Sequence, residues 1–198
     1  EPAKLSTIGD ILEDIIRDDQ RAADIIERLR TLLQAGEAVQ EPLDINGVMK
    51  DAIGLLSGEI SQQQVMPTLE FGKHLPDVLA GRTEIQQVAI NLIINALNAL
   101  SDIPPVQRQL IIRTSRHKDS VEVMVRDNGR GIPEEDLPRI FEAFFTSKAG
   151  GIGMGLSISR RIIEAYGGRI SAESMATGGA SFTFALPIAP GGQGAGHV

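Results

Sequence analysis

The chain has 198 residues, 42 % of them hydrophobic and 23 % charged, which is enough for one domain with a sizeable core plus an appendage. Its net charge of −7 argues against sequence-independent nucleic-acid binding, and the absence of cysteine excludes a disulfide scaffold, thiolate metal ligation and a cysteine nucleophile. No apolar run is long enough to span a membrane and no signal segment opens the chain, whose start at Glu1-Pro2 reads as part of something longer.

Residues 7–34 read as one long helix. Ile8, Leu12, Ile15, Asp19, Ala22, Ile26, Leu29 and Leu33 step alternately by four and three, and all but Asp19 are apolar, the pattern of a coiled-coil or bundle seam. Such a helix is about 42 Å long, too long for a small domain to cover, so it is expected to pack on a second copy of itself or on a neighbour. A plain helix lying on the domain is the other reading. A break at Ala35-Gly36 and Pro42 marks a linker.

A second helix is predicted from Ile45 to Gln64, on the spacing of Val48, Ala52, Leu55, Leu56 and Ile60, and Thr68–Phe71 reads as a short strand. A helix from Thr83 to about Leu100 follows, with Gln86 as capping-box partner to Thr83, and Pro104-Pro105 closes that region. Leu110–His117 and Val121–Asp127 are strands joined by a hairpin-length loop, with Val121, Val123 and Val125 on one face. A short helix over Glu134–Glu142 leads into a loop over Phe144–Gly153. Another helix, Gly155–Tyr166, stops at Gly167-Gly168, and strands Arg169–Ser174 and Ala180–Leu186 finish the domain. The class is α+β, helices layered on one face of a mostly antiparallel sheet. Ala189–Val198, rich in glycine, reads as a disordered tail.

Three constellations carry chemistry. Asn91, Asn95 and Asn98 share one stripe of an otherwise apolar helix, where each costs about 0.6 kcal/mol relative to alanine. A carboxamide oxygen can ligate Mg²⁺ and its NH₂ can donate to a phosphate; capping of neighbouring loops or exposure to water is the competing reading. Asp127-x-Gly129-x-Gly131 comes directly off a strand. It is either an ordinary turn or a carboxylate placed to accept from an exocyclic amine such as adenine N6, with glycines admitting the base and Ile132 as an apolar wall. Lys148 through Gly155, with Gly151, Gly153, Met154 and Leu156, is a glycine-rich turn opening a helix. That is an anion cradle with a cation beside it, or else a flexible surface loop. Phe141, Phe144 and Phe145 just before it are an apolar hinge or ordinary core. A P-loop, a dinucleotide fingerprint and the Ser/Thr/Tyr kinase motifs are absent.

Taken in order, Asn-x-x-x-Asn-Ala on a helix, Asp-x-Gly-x-Gly, a Phe cluster and Gly-x-Gly-x-Gly opening a helix resemble the N, G1, F and G2 boxes of the ATP-binding catalytic domain of two-component sensor histidine kinases. Phe-Glu-x-Phe-Phe-Thr-Ser-Lys and Gly-Met-Gly-Leu-Ser-Ile-Ser are similar to the oxygen- and nitrogen-sensor subgroup. The resemblance covers about residues 44–188, and residues 7–34 are similar to the second helix of that family's dimerisation hairpin.

The resemblance implies a Bergerat α/β sandwich preceded by one long dimerisation helix. The divisions are residues 1–36 for that partial hairpin, 37–44 for a linker, 45–188 for the catalytic domain and 189–198 for the tail. It implies ATP and Mg²⁺ as cofactors, with Asn95 as metal ligand, Asn91 assisting at the phosphates and Asn98 near them. Asp127 would hold the adenine amine, and Gly129, Gly131 and Ile132 would line the base pocket. Lys148, Gly151, Gly153, Met154, Gly155 and Leu156 would form the lid and phosphate cradle. The implied partners are a second copy of the chain and a response-regulator receiver domain, with no nucleic acid and no membrane contact by this segment, and the implied location is cytoplasmic. The alternative is an ATPase of the same superfamily that uses ATP as a conformational clamp; it needs a carboxylate near Asn91, where the sequence offers Gln87 and the more distant Glu84.

Ala143 and Ile152 stand where this family usually has Pro and Thr. None of His74, His117 and His197 is followed by an acidic residue on a helix, as the family's phosphoacceptor is, so that histidine is expected on a helix preceding Glu1. The helical seam makes one prediction: replacing Ile15 and Ile26 with Glu dissociates a dimer while nucleotide binding persists. An unchanged mass by light scattering contradicts the seam.

Overall fold

A computed structural model describes residues 40–146, 153–176 and 178–190. The helix expected over 7–34 lies outside these residues. The order is β1 (Glu41–Leu43), α1 (Ile45–Leu55), α2 (Ser57–Gln62), β2 (Thr68–Phe71), β3 (Val78–Ala80), α3 (Arg82–Ala99), a 3₁₀ turn (Pro105–Gln107), β4 (Leu110–His117), β5 (Ser120–Asp127), α4 (Gly155–Ala165), β6 (Arg169–Ser174) and β7 (Ala180–Pro187). The main sheet runs β2-β4-β5-β7-β6; β2 pairs with β4 in parallel and the other neighbours are antiparallel. β1 and β3 form a separate antiparallel pair, tied to the chain beyond β7 by a bridge between Val78 and Ile188.

Alternation decides which face of the sheet is covered. Along β5, Val121, Val123 and Val125 are buried and the intervening residues are not, so one face meets the helices. α3 lies on that face with Ile85, Val88, Ala89, Leu92, Ile93, Ala96 and Leu97 buried, at the i, i+3, i+4 spacing of an inward stripe. α1 packs on α3 through Val48, Met49 and Ala52, and α4 packs on α3, β6 and β7 through Ile158, Ile162 and Ile163. The core is the layer between. Fully burying a side chain such as Phe184 or Leu92 stabilises it by about 1.5–3 kcal/mol. The open face of the sheet carries charge pairs such as Arg113–Glu70 at 2.5 Å and Arg169–Glu122 at 2.8 Å, each contributing at most about 1 kcal/mol.

Several expectations are corrected. The helix over Ile45–Gln64 is two helices, broken at Leu56 between Gly54 and Gly58; the break turns Leu56 and Ile60 inward and leaves Leu55 exposed. α3 begins at Arg82 after Gly81, with no side-chain cap, so the Thr83–Gln86 capping box does not form. The segment expected as a helix over Glu134–Glu142 is a run of turns, although Ile140 is buried. Residues 41–43, read as linker, are β1, and Ala189, read as tail, is buried and donates its amide to Asp77 O at 2.9 Å. Among the described residues no helix is long and apolar enough to cross a membrane.

Two polar clusters hold the ends of the layer together. Thr114, buried on the covered face, donates to Asn46 Oδ1 at 2.6 Å and accepts from the Gly72 amide at 3.0 Å, while Asn46 Nδ2 donates to Gly72 O at 2.9 Å. The Arg108 guanidinium donates to the carbonyls of Ile103, Ser101 and Gln63, which ties the exit of α3 to the exit of α2. Thr114→Val removes the hydroxyl at nearly constant volume and leaves the Asn46 oxygen without its donor. It is expected to lower unfolding stability by about 1–3 kcal/mol in urea titrations; unchanged stability shows the network to be dispensable.

Candidate functional site

The site is built around α3. Gly129 lies so close to the C-terminal end of α3 that a Cβ there collides with the Ala99 carbonyl. Gly155, the first residue of α4, lies equally close to Asn91, in the middle of α3, where a Cβ meets the carboxamide oxygen. Two glycine-bearing turns therefore rest on the same helix. Asn95 sits between the two contacts, about 6 Å along the axis from each. Asn91 and Asn95 are half-buried, and Asn98 is exposed. Asn91 Nδ2 donates to Ser159 Oγ of α4 at 2.9 Å.

Asp127 ends β5 in phase with the three valines, so alternation carries its carboxylate onto the helix-covered face, where the residue is 2 % exposed. Oδ1 accepts from the amides of Gly129 at 2.8 Å and Ala180 at 3.4 Å. Desolvation pushes the carboxyl above its ordinary pKa, and hydrogen bonds from backbone amides only partly oppose that rise. The backbone here is crowded: Gly179 has φ +89° and its Cα faces the Asp127 carbonyl, so no side chain fits there. Gly131 (φ +72°) nests against Gly179, and the Ile132 amide donates to Ser174 Oγ at 3.3 Å. Asn128 fixes the turn from the other side, accepting from the Gln109 amide at 2.8 Å and donating to Gln107 O at 2.7 Å.

The third segment is described in part. Lys148 and Gly151 lie outside the described residues. Gly153 (φ +70°) packs on the Phe145 carbonyl, Met154 is buried as the residue before α4, and Leu156 is half-buried in its first turn. No side chain among the described residues caps α4, so its first amides are the kind of donors that bind an anion. The Phe cluster is not core: Phe141 and Phe145 are half-buried and Phe144 is exposed with φ +67°. Arg139 lies over the Phe145 ring, 4.7 Å from its centroid.

Some participants escape the motifs. Gly179 ends the turn between β6 and β7 and the Ala180 amide opens β7, and the Gly178-Gly179 doublet is their trace in the sequence. Ser159 is a lone hydroxyl in the isoleucine stripe of α4. At the far end of the helix pair, the Tyr166 hydroxyl is hydrogen-bonded by the Gly81 amide beside the Glu84 carboxylate; burial, and secondarily that charge, raise its pKa. Among the described residues no group of three or more His, Asp or Glu could hold a metal ion. A cation at this site would rest on carboxamide oxygen and on oxygens of a ligand.

Residues 80–190 match the family described as histidine kinase-, DNA gyrase B- and HSP90-like ATPases. The sensor histidine kinase TmoS of Ectopseudomonas mendocina is 36 % identical over 95 % of this chain and 20 % of its own length. Sensor protein FixL of Bradyrhizobium diazoefficiens is 42 % identical over 85 % of this chain and 33 % of its own. The chain thus spans a third or less of these relatives. The solved catalytic domain of histidine kinase ThkA superposes with a TM-score of 0.68 at 33 % identity, covering 75 % of this chain and 95 % of that one. ThkA in complex with the response regulator TrrA gives 0.70 at 27 % identity over 87 % of this chain and 50 % of that one.

The raised pKa of Asp127 sets a sign. The folded state holds its proton to higher pH than the unfolded chain, so ionising this group costs stability as pH climbs from about 3.8 through the raised value. Asp127→Asn keeps an oxygen for the two amides and removes that cost. The variant is expected to match the wild type at the acid end and to exceed it in urea stability at neutral pH. A variant that is less stable at pH 7 overturns the assignment of desolvation as the dominant cause.

Proposed function

Because the chain belongs to the histidine kinase-, DNA gyrase B- and HSP90-like ATPase family, we propose that it is the ATP-binding catalytic region of a sensor histidine kinase. In this reading it binds Mg·ATP and passes the γ-phosphoryl group to a histidine on a dimerisation helix outside this chain, for relay to a response-regulator aspartate. The observation that carries it is the placing of Asn95 between two glycine turns, one ending in a desolvated carboxylate and the other opening α4.

Each residue has a part. Asp127 accepts from the adenine amine through Oδ2, its other oxygen being taken by backbone amides. Gly129 and Gly131 admit the base and Ile132 walls it. The triphosphate lies along α3 toward the first amides of α4, where Gly153, Met154, Gly155 and Leu156 meet it, with Gly151 and Lys148 supplying further amides and a cation. The carboxamide oxygens fit Mg²⁺, an ion that takes oxygen ligands and shares them with phosphates; Asn95 would hold it, with Asn91 and Asn98 nearby on the same helix stripe. When bound, the ion neutralises phosphate charge. The chain's own residues position the nucleotide and exclude water from the base.

The clamp-ATPase alternative needs a carboxylate near the phosphates. Glu84 is beside Tyr166 in the first turn of α3, about 16 Å along the helix from Asn95, and this favours transfer to a protein acceptor over hydrolysis. His117 closes β4 and His74 sits in a loop with φ +54°, neither on a helix. The homodimer, the cytoplasmic location and the receiver-domain partner belong to the same proposal.

The test is titration calorimetry with ATP. Asn95→Ala is expected to weaken binding about tenfold or more with Mg²⁺ present and to change it little in excess chelator. With radiolabelled ATP the chain is expected not to label itself, and to label a supplied histidine-bearing hairpin helix. Equal affinities for wild type and Asn95→Ala in Mg²⁺ defeat the reading.

A further inference from the structure

We propose that Ser159 is a positioning residue: its hydroxyl holds the Asn91 carboxamide in one orientation against the turn at Gly155, so that α3 and the start of α4 bear on the triphosphate as one body. The inference deepens the nucleotide reading above and rests on it.

Ser159 is 1 % exposed, and its neighbours on the buried stripe of α4 are Ile158, Ile162 and Ile163. A hydroxyl buried among isoleucines is a cost unless it is bonded, and an alanine would pack there without that cost. The bond it makes is to the site itself: Asn91 Nδ2 donates to Ser159 Oγ at 2.9 Å. The same carboxamide turns its oxygen to the Cα of Gly155, at a spacing that leaves no room for a Cβ. A carboxamide on an isolated helix rotates about two bonds. Here the nitrogen is bonded to α4 one turn into that helix, and the oxygen lies against the first residue of the same helix. Asn91 is thereby turned from a mobile amide into a bracket whose geometry sets the height of the α4 amides above Asn95, four residues further along α3. The hydrogen bond of Ser159 goes to Asn91, against the start of α4, so its effect is expected at the phosphate end.

The experiment uses the whole chain and two ligands: a non-hydrolysable ATP analogue with Mg²⁺, read by calorimetry, and adenosine, read by amide shift perturbation. Ser159→Ala and Ser159→Cys are both expected to weaken the analogue about fivefold, the size of one lost hydrogen bond, and to leave adenosine affinity within about twofold. Cysteine keeps the packing but is a weak acceptor. In an Asn91→Ala background, Ser159→Ala is expected to have no further effect, because the two residues act through each other. Wild-type affinity in Ser159→Cys, or an undiminished loss from Ser159→Ala in the Asn91→Ala background, overturns the proposal. If Ser159→Ala melts below the assay temperature, the cysteine variant decides alone. A wild-type chain that binds neither ligand defeats the nucleotide reading and this inference with it. A wild type that binds both, with variants that match it, defeats only the inference.

Discussion

Everything in this domain depends on the close approach of two glycine backbones to one helix. Gly129 at Ala99 and Gly155 at Asn91 each occupy a space that no side chain could share. With a methyl group at Gly129 the turn must lift away from the Ala99 backbone, whereas a methyl group at Gly155 displaces the Asn91 carboxamide. The rest of the fold serves this arrangement. The isoleucine and leucine stripe seats α3 on the sheet, α1 braces its other side, and Arg108 binds its exit.

The site is built from groups that a stability criterion alone would remove. Three asparagines stand in a helix that prefers other residues, a carboxylate is placed where little water reaches it, and a hydroxyl is set among isoleucines. Left-handed backbone recurs at Gly131, Gly153, Gly179 and, against its side-chain preference, at Phe144. The same conformation also occurs away from the site, at Gln64, His74 and Lys118. At the opposite end of the sheet, where β4 turns into β5, Lys118 is left-handed as well (φ +53°), and Ser120 donates to the His117 carbonyl at 2.9 Å.

Much of this could be read from the sequence because it follows from period. The valines of β5 alternate, and the same count places Asp127 on their face. The stripe of Asn91, Asn95 and Asn98 follows from the helical repeat. What escaped was set by contacts distant in the chain. The start of α3 is decided by Gly81 lying under Tyr166 and Glu84, and no local capping signal reports that. β1 and β3 are three residues each, too short for alternation to register, and they exist because they pair with each other. Ser159 looked like any polar residue in an amphipathic helix; only the crossing of α4 over α3 gives it Asn91 as a neighbour. The turns over 134–142 have helix-like composition but follow Pro133 and carry Pro138, and burying Ile140 does not require a regular helix.

The position of Tyr166 has a practical consequence. The chain has one tyrosine and no tryptophan, and that tyrosine caps α4 at its junction with the entry of α3. Its hydroxyl meets a backbone amide and a carboxylate there, and both interactions influence the emission of a phenol. Ultraviolet fluorescence of the unlabelled chain is therefore a single-site optical gauge of how these two helices sit on each other. It needs no introduced dye, and no indole signal obscures it.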